Sequence, residues 1–574
     1  MDRAMIIGLD VGGTHTDAVL LGKSGLVKEI KVPTDPSNLF ETVLSGLESV
    51  TEGVDPSQIS RVVLSTTLTT NAIVQNRLPP VGMIVSSGPG IDPEFYRTNE
   101  HYYPASGAMD HRGRENQPID PEEITSMGRK LKSDGIRFVG VVGKFSVRNP
   151  GHELAIGNIL KDYVDKVFLG HRISGSLNFP RRIATTYLNT AVYPLHKDFY
   201  SAVEKSLEAK GLHLPIRILK ADGGNMKFES SIDHPGQTIL SGPAASVMGS
   251  IAFAGEDTDC LVMDIGGTTT DMAILIDRVP LLDPLGIRLG GYKTLIRSLD
   301  TLSVAIGGDS QLQFNNGRLT VGPERLGPAM AYGGPAPTPT DALCVLEPIE
   351  GADRKKSIKG LEPIASAMGM PVEAAASEIF TKTCRMILKQ AQAMVRHANS
   401  KPVYTVHELR EGYSVKPSEI LVLGGPAPYF AKYLARISDY KVRVVPRWRV
   451  ANAIGAALAR TTCEVTFFAD TEQRISTAPE ENYSKGIKKD FTSRDAVKKA
   501  LDLLREKALK RGANPDYLEM EVLEEMEFNM VRGFYTTGKN IRIRVQVRPG
   551  LIHGYDDLIS DISNPAESGN GHRA

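Results

Sequence analysis

Two octapeptides decide how this chain is read: Asp10-Val-Gly-Gly-Thr-His-Thr-Asp17 and Asp264-Ile-Gly-Gly-Thr-Thr-Thr-Asp271. They share the pattern D-[VI]-G-G-T-x-T-D, with six identical positions. Short apolar runs precede them, Met5–Leu9 and Cys260–Met263, and others follow, Ala18–Leu21 and Met272–Ile276. The local reading is strand, tight turn, strand, twice over. A Gly-Gly pair lets the backbone enter φ > 0 and puts no Cβ in the way. Successive N–H groups can then converge on one concavity, a seat for phosphate oxygens. The Thr hydroxyls add donors. Asp10 and Asp264 close their strands and offer hard oxygens to Mg²⁺, directly or through water. A single D-x-G-G is an ordinary hairpin turn. Two copies in equivalent settings imply two half-molecules, each with one phosphate cradle.

Length and composition bound the rest. The 574 residues suffice for three or four domains. Apolar content of 41% and charged content of 23% are ordinary globular values. Lys+Arg and Asp+Glu number 67 each, so the formal net charge is zero. That balance gives no electrostatic case for nucleic acid or an anionic membrane. The four cysteines, at 260, 344, 384 and 463, form no C-x-x-C pair. Scattered thiols of this kind fit a reducing cytoplasm. The first strand begins at the N-terminus, with an apolar run too short for a signal peptide. No apolar segment approaches the ~20 residues of a membrane span.

Periodicity places the intervening elements. Ile6–Val11, Thr16–Leu21 and Leu26–Val32 read as a β-meander. A helix follows over about 37–50, capped by Asp35 or Ser37 with Pro36 at its entry. Strands at Arg61–Ser65, Val81–Ser86, Val139–Gly143 and Ile216–Lys220 alternate with helices. That alternation argues an α/β fold with a mainly parallel or mixed sheet. Residues 87–120 form a long Pro- and Gly-rich connection, either functional or a surface excursion. Arg182–Lys210 is one long helix or two short ones. Ser241 is placed to cap a helix over Ala244–Ala254. Ala451-Asn-Ala-Ile-Gly-Ala-Ala457 is a small-residue helix, suited to close packing or to a flat ligand base. Residues 480–550 read as an α+β unit. Its helix carries the stripe Val497, Leu501, Leu504 and Ala508, and its strand is the alternating run Ile541–Val547.

The duplicated turn resembles the actin, Hsp70 and sugar-kinase superfamily, in which two lobes grip ATP with one hairpin on each side of the β- and γ-phosphates. Further blocks narrow the resemblance to the HyuA subunit of the hydantoinase/5-oxoprolinase/acetone carboxylase family. These are Ser65-Thr-Thr-Leu-Thr-Thr-Asn-Ala72, Asp222-Gly-Gly, Leu240-Ser-Gly-Pro-Ala-Ala245, Val321-Gly-Pro-Glu, Thr338-Pro-Thr-Asp-Ala342, Leu423-Gly-Gly-Pro426 and Asn529-Met-Val-Arg-Gly-Phe-Tyr535. Ser65 stands where the family has His, and Val304–Ser310 and Pro328–Gly333 depart from its glycine- and cysteine-bearing patterns.

The resemblance implies a two-lobed, actin-like (ribonuclease H-like) α/β ATPase core with a small C-terminal α+β appendage. Residues 1–240 would form the first lobe, with its insertion near 87–120. Residues 241–475 would form the second lobe, 476–562 the small domain and 563–574 a disordered tail. The implied cofactors are ATP and Mg²⁺. Asp10 and Asp264 would hold the metal, with Asp271 as the third catalytic carboxylate. Gly12, Gly13, Thr14, Thr16 and Asp17 would meet the nucleotide from one side, Asp17 either orienting its turn or reaching the substrate. Gly266, Gly267, Thr268, Thr269 and Thr270 would meet it from the other. Gly307, Gly308, Gly424, Gly425 and Pro426 would lie against adenosine. The implied activity is phosphorylation of the carbonyl oxygen of a cyclic amide such as a hydantoin, 5-oxoproline or another lactam. A HyuB-type subunit would then complete ring opening. Ketone carboxylation and a non-catalytic actin-like role are the alternatives. The implied partners are a small carbonyl substrate and HyuB-type or identical subunits, without nucleic acid or membrane. No G-x-S-x-G elbow or H-E-x-x-H motif points to hydrolysis without ATP.

Overall fold

The computed structural model describes residues 5–13, 15–23, 25–35, 37–283, 285–400 and 414–563. Thr14, Pro36 and the tail beyond 563, all named in the sequence reading, lie outside the described residues.

Met5–Val11 is buried on both faces from Ile6 onward, which is why it reads as an apolar run rather than an alternation. Leu26–Pro33 alternates between half-buried and exposed, as an edge strand does. The first sheet runs 225–227, 216–219, 59–66, 5–11, 15–21, 26–33. Its first strand pairs antiparallel with 15–21 and parallel with 59–66, which pairs parallel with 216–219.

The same wiring recurs 254 residues later. Asp259–Ile265 pairs antiparallel with Thr270–Ile276 and parallel with Glu419–Leu423, which pairs parallel with Lys441–Val444. Thr270–Ile276 is flanked in turn by Thr301–Val304. Each copy thus puts its second strand on one side of its first and its fourth and fifth on the other. The duplicated octapeptide sits at the same bend in both.

Two helices, Ser241–Ile251 and Ala451–Leu458, fill the space between these sheets. Val19 and Val63 of one sheet share a single core with Val262 and Leu421 of the other through Met248 and Ile454. The fit is close. A Cβ on Gly249 would lie 2.1 Å from the Ala451 carbonyl oxygen, one on Gly455 2.2 Å from that of Ala245, and one on Gly8 2.1 Å from that of Ala453. Small residues over 451–457 therefore serve packing between the two sheets. Overpacking such a contact costs about 1–3 kcal/mol or more.

A separate sheet within residues 82–169 runs 166–169, 138–143, 82–86, 102–104, with every pair parallel. Only 102–104 of the long connection joins it. A further five-stranded antiparallel sheet runs 483–486, 475–478, 464–470, 535–547, 520–532, with helix Ser493–Lys510 packed against it. It draws in Glu464–Asp470, upstream of the boundary expected at 476.

Several local expectations are corrected. Asn38, not Asp35 or Ser37, caps the first helix, its side chain accepting from Glu41 N–H, while Asp35 holds Ser37. Ser241 caps nothing. Its helix starts at Ser241 itself, after Leu240 at φ +65°. The Ser241 hydroxyl instead donates to the Thr66 carbonyl at 2.8 Å and accepts from the Thr66 N–H at 3.2 Å, tying the helix to the first sheet. Phe179–Ala209 is one helix despite Pro194. All four cysteines are free and buried. Among the described residues no helix is long and apolar enough to cross a membrane.

Candidate active site

The two glycine turns are built alike. The Gly12 N–H donates to the His15 carbonyl at 3.1 Å, and the Gly266 N–H to the Thr269 carbonyl at 2.9 Å. Asp10 faces Asp17 across its hairpin, and Asp264 faces Asp271 across the other. Cross-strand neighbours share a face of the sheet, so each turn carries two carboxylates on one side. The expected φ > 0 is not found at Gly12, Gly13, Gly266 or Gly267. Space is the reason for glycine at positions 12 and 267 only. A Cβ on Gly12 would lie 2.8 Å from the His15 carbonyl oxygen, and one on Gly267 2.5 Å from Asp309 Oδ2.

The two motifs meet through one side chain that sequence reasoning passed over. Asn452 Nδ2 donates to Asp10 Oδ2 at 3.3 Å, and its Oδ1 lies 3.1 Å from the Ser246 hydroxyl. Ser246 also reaches Asp264 Oδ2 at 2.5 Å. On the far side of Asp10, the Ser65 hydroxyl donates to Oδ1 at 2.5 Å. The order Ser65–Asp10–Asn452–Ser246–Asp264 thus runs from one sheet to the other through both intervening helices. Asn452 is the lone polar residue in a run of small apolar ones, which was the signal available.

Burial pushes Asp10 and Asp264 above the usual carboxylate range, against the hydrogen bonds from Ser65 and Ser246 that pull them down. Asp17 is pushed up to about 6 by burial, although Lys31 Nζ sits 2.7 Å from its Oδ1. Asp271 has Ser303 in place of a cation and is pushed up to about 7, again by burial. Four carboxylates whose charge is disfavoured, close enough to raise one another, suit a cation or a charged donor set brought by a ligand. Among the described residues no group of three or more side chains is arranged to hold a metal. Any cation held by Asp10 and Asp264 would need water or ligand oxygens to complete its shell.

The remaining assigned residues separate into two sets. Gly307, Gly308, Gly424 and Pro426 gather at the second turn. The Gly308 N–H donates to the Gly266 carbonyl at 2.9 Å and the Asp309 N–H to that of Gly267 at 2.7 Å. Gly424, at φ +93°, brings its backbone against Asp264, where a Cβ would lie 2.6 Å from Oδ1. Gly425 has open space before it. The Thr268 and Thr269 hydroxyls have no partner among the described residues. Thr16 and Thr270 point elsewhere: both are fully buried, one bonded to the Thr34 hydroxyl at 2.9 Å and the other to the Ile306 carbonyl at 2.7 Å. They hold the hairpins in place and do not line the turns.

Two models of one family match the chain. Residues 6–164 match the hydantoinase/oxoprolinase N-terminal region, and residues 182–465 match hydantoinase/oxoprolinase. Caprolactamase subunit alpha from Pseudomonas jessenii is 23% identical over 554 residues, covering 88% of this chain and 75% of that protein. The solved nucleotide-free acetone carboxylase superposes with a TM-score of 0.70 at 17% identity, over 97% of this chain and 89% of its own. The ATP-dependent caprolactamase structure from Pseudomonas jessenii gives 0.69 at 19% identity, over 95% and 87%. At these identities the superpositions establish a shared mixed α/β fold. Two family models in chain order, spanning most of the sequence and both glycine turns, settle its membership: the protein belongs to the hydantoinase/oxoprolinase family.

Proposed function

We propose that the chain is the ATP-using subunit of a cyclic-amide hydrolase, built on an actin-like pair of lobes. The observation that carries this reading is Asn452, whose amide links the aspartate of one glycine turn to that of the other. A phosphate group between the turns would meet the backbone N–H of Gly13 on one side and those of Gly267–Thr269 on the other, since the Gly12 and Gly266 N–H groups are spent closing their own turns. Asp10 and Asp264 would hold Mg²⁺, which supplies charge neutralisation for phosphoryl transfer when bound. Ser65, Ser246 and Asn452 fix the rotamers of those carboxylates. Asp17 and Asp271, lifted toward neutrality, are suited to donate or accept a proton at the edge of the site. The acceptor is the carbonyl oxygen of a lactam, an electrophile too weak to open unaided. Closure of the lobes about the 241–251 and 451–458 helices would keep water from the phosphoryl group.

Similarity to caprolactamase subunit alpha over most of both chains supports the hydrolase reading and assembly with a further subunit, for which a HyuB-type chain is our candidate. The acetone carboxylase fold match supports the second reading, ATP-dependent ketone carboxylation. ADP release from the chain, with and without a HyuB-type subunit, separates them. Release driven by caprolactam, hydantoin or 5-oxoproline fits the hydrolase. Release driven only by a ketone with bicarbonate fits the carboxylase. Turnover indifferent to all of these would point to a non-catalytic actin-like ATPase and end the cyclic-amide reading.

A further inference from the structure

The parallel sheet within residues 82–169 lies apart from the glycine turns and carries chemistry of its own. All its strands run parallel, and open parallel sheets seat ligands beyond the carboxyl ends of their strands. Beyond the ends of 138–143 and 166–169 lies a groove of about 900 Å³, walled on its far side by Phe468 and Tyr483 of the C-terminal sheet. That volume suits a small organic molecule.

Glu153 lies under the groove, fully buried. Its carboxylate accepts the backbone N–H of Gly143 at 2.8 Å and of His171 at 2.9 Å, and contacts His171 Nδ1 at 2.6 Å. Burial raises the Glu153 carboxyl, but His171 and Arg182 outweigh it and hold it below the usual range, so it is ionised. An ionised carboxylate only accepts, which places the proton on Nδ1. Nε2 is left without a protein partner among the described residues, on a ring that lines the groove and is 1% exposed. A buried imidazole oriented by a carboxylate, with its other nitrogen unspent, is more than scaffold packing requires.

Arg148 supplies the second group. Its guanidinium stacks on Phe468, 4.5 Å from the ring centroid, and its Nε is buried without a partner. Among the described residues it forms no ion pair. Its neighbour Arg112 is held by Asp470 at 3.3 Å and Glu472 at 2.7 Å, whereas Asp470 acts on Arg148 only from beyond ion-pair distance. Leaving one guanidinium unpaired beside a neutralised one reserves it for an anion.

We propose that this groove is a second ligand site. It takes a small molecule carrying a carboxylate for Arg148 and a hydroxyl or amide N–H for His171 Nε2, with an apolar part against Phe145 and Phe468. The site is independent of the nucleotide reading.

Calorimetric titration of the full chain with mandelate and with hippurate tests it. Both acids carry a phenyl group, a carboxylate and a hydroxyl or amide N–H, and their neutral primary amides serve as controls. Both acids should bind saturably, and the neutral amides about tenfold more weakly or not at all. Arg148→Gln should weaken the acids about tenfold, and His171→Gln about fivefold. The His171 imidazole resonances should move on adding either acid. Arg148→Gln leaves the Glu153 network intact and carries the test if His171→Gln fails to fold. Absence of saturable binding of both acids, or affinities unchanged in folded Arg148→Gln, would overturn the proposal.

Discussion

The two glycine turns share a sequence but not a setting, and the difference separates a fixed half of the site from an adaptable one. The second turn is buttressed. Its Gly266 and Gly267 carbonyls accept from Gly308 and Asp309, Asp309 is held by Arg325 at 3.1 Å, and Gly424 presses on Asp264. Among the described residues the first turn has no such layer: Gly13 is exposed, and a Cβ there would meet only Asn71 Nδ2 at 3.5 Å. Charge differs too. Asp17 faces Lys31, whereas Asp271 faces Ser303. A ligand would dock on the rigid turn and draw the looser one in.

That asymmetry can be broken in graded steps. The largest effect is expected from Asp264→Asn, which removes a charge at the junction of both lobes. ADP release should fall at least about a hundredfold while the heat-unfolding midpoint holds. Unchanged turnover would remove the metal assignment. Asn452→Ala comes next, with a loss of about tenfold to a hundredfold, because it frees Asp10 and Asp264 to reorient without removing either. Glycine replacements then distinguish the turns. A Cβ on Gly307 would lie 2.6 Å from the Gly266 and Gly267 carbonyl oxygens. Gly307→Ala should therefore cost about 1–3 kcal/mol in chemical denaturation, and Gly13→Ala almost nothing. Equal costs would erase the distinction.

The smallest effect concerns pH. Asp271 is raised in the folded chain to about 7 from an ordinary 3.8. Between those values the folded state binds more protons than the unfolded one. Stability due to this group is thus fully present below about 4 and lost as pH rises through 7. Asp271→Asn should raise the unfolding midpoint by a few degrees at pH 8, and the gain should vanish near pH 4. Asp17, nearer 6 because of Lys31, should show a smaller gain over a lower window.

Much of the architecture was legible because it rests on a repeat. Two copies of one octapeptide fixed two hairpins, and the parallel strands beside them announced themselves as apolar runs. What escaped had a physical cause in each case. The strand Met520–Arg532 carries Glu521, Glu524, Glu525 and Glu527, poor strand formers in isolation. They are tolerated because Arg548, Arg544 and Lys539 of the adjoining segment pair with Glu521, Glu524 and Glu527. The helix Arg354–Met368 hides behind Pro363, although Asp353 and Gly369 mark its ends. Within the site, residues next to the glycines were readable from the motif. Ser246 and Asn452 were not, since they reach the aspartates only once two helices distant in sequence lie side by side. Thr16 and Thr270 misled for the opposite reason: the motif places them beside the turn, and the strand's alternation turns them inward.

Both turns should hold one nucleotide together. Amide hydrogen exchange over Gly12–Gly13 and Gly266–Thr269, with and without a non-hydrolysable ATP analogue and Mg²⁺, tests it most directly. Both segments should slow together, and Asn452→Ala should weaken that joint protection. Protection at one segment alone, or at neither, would contradict it.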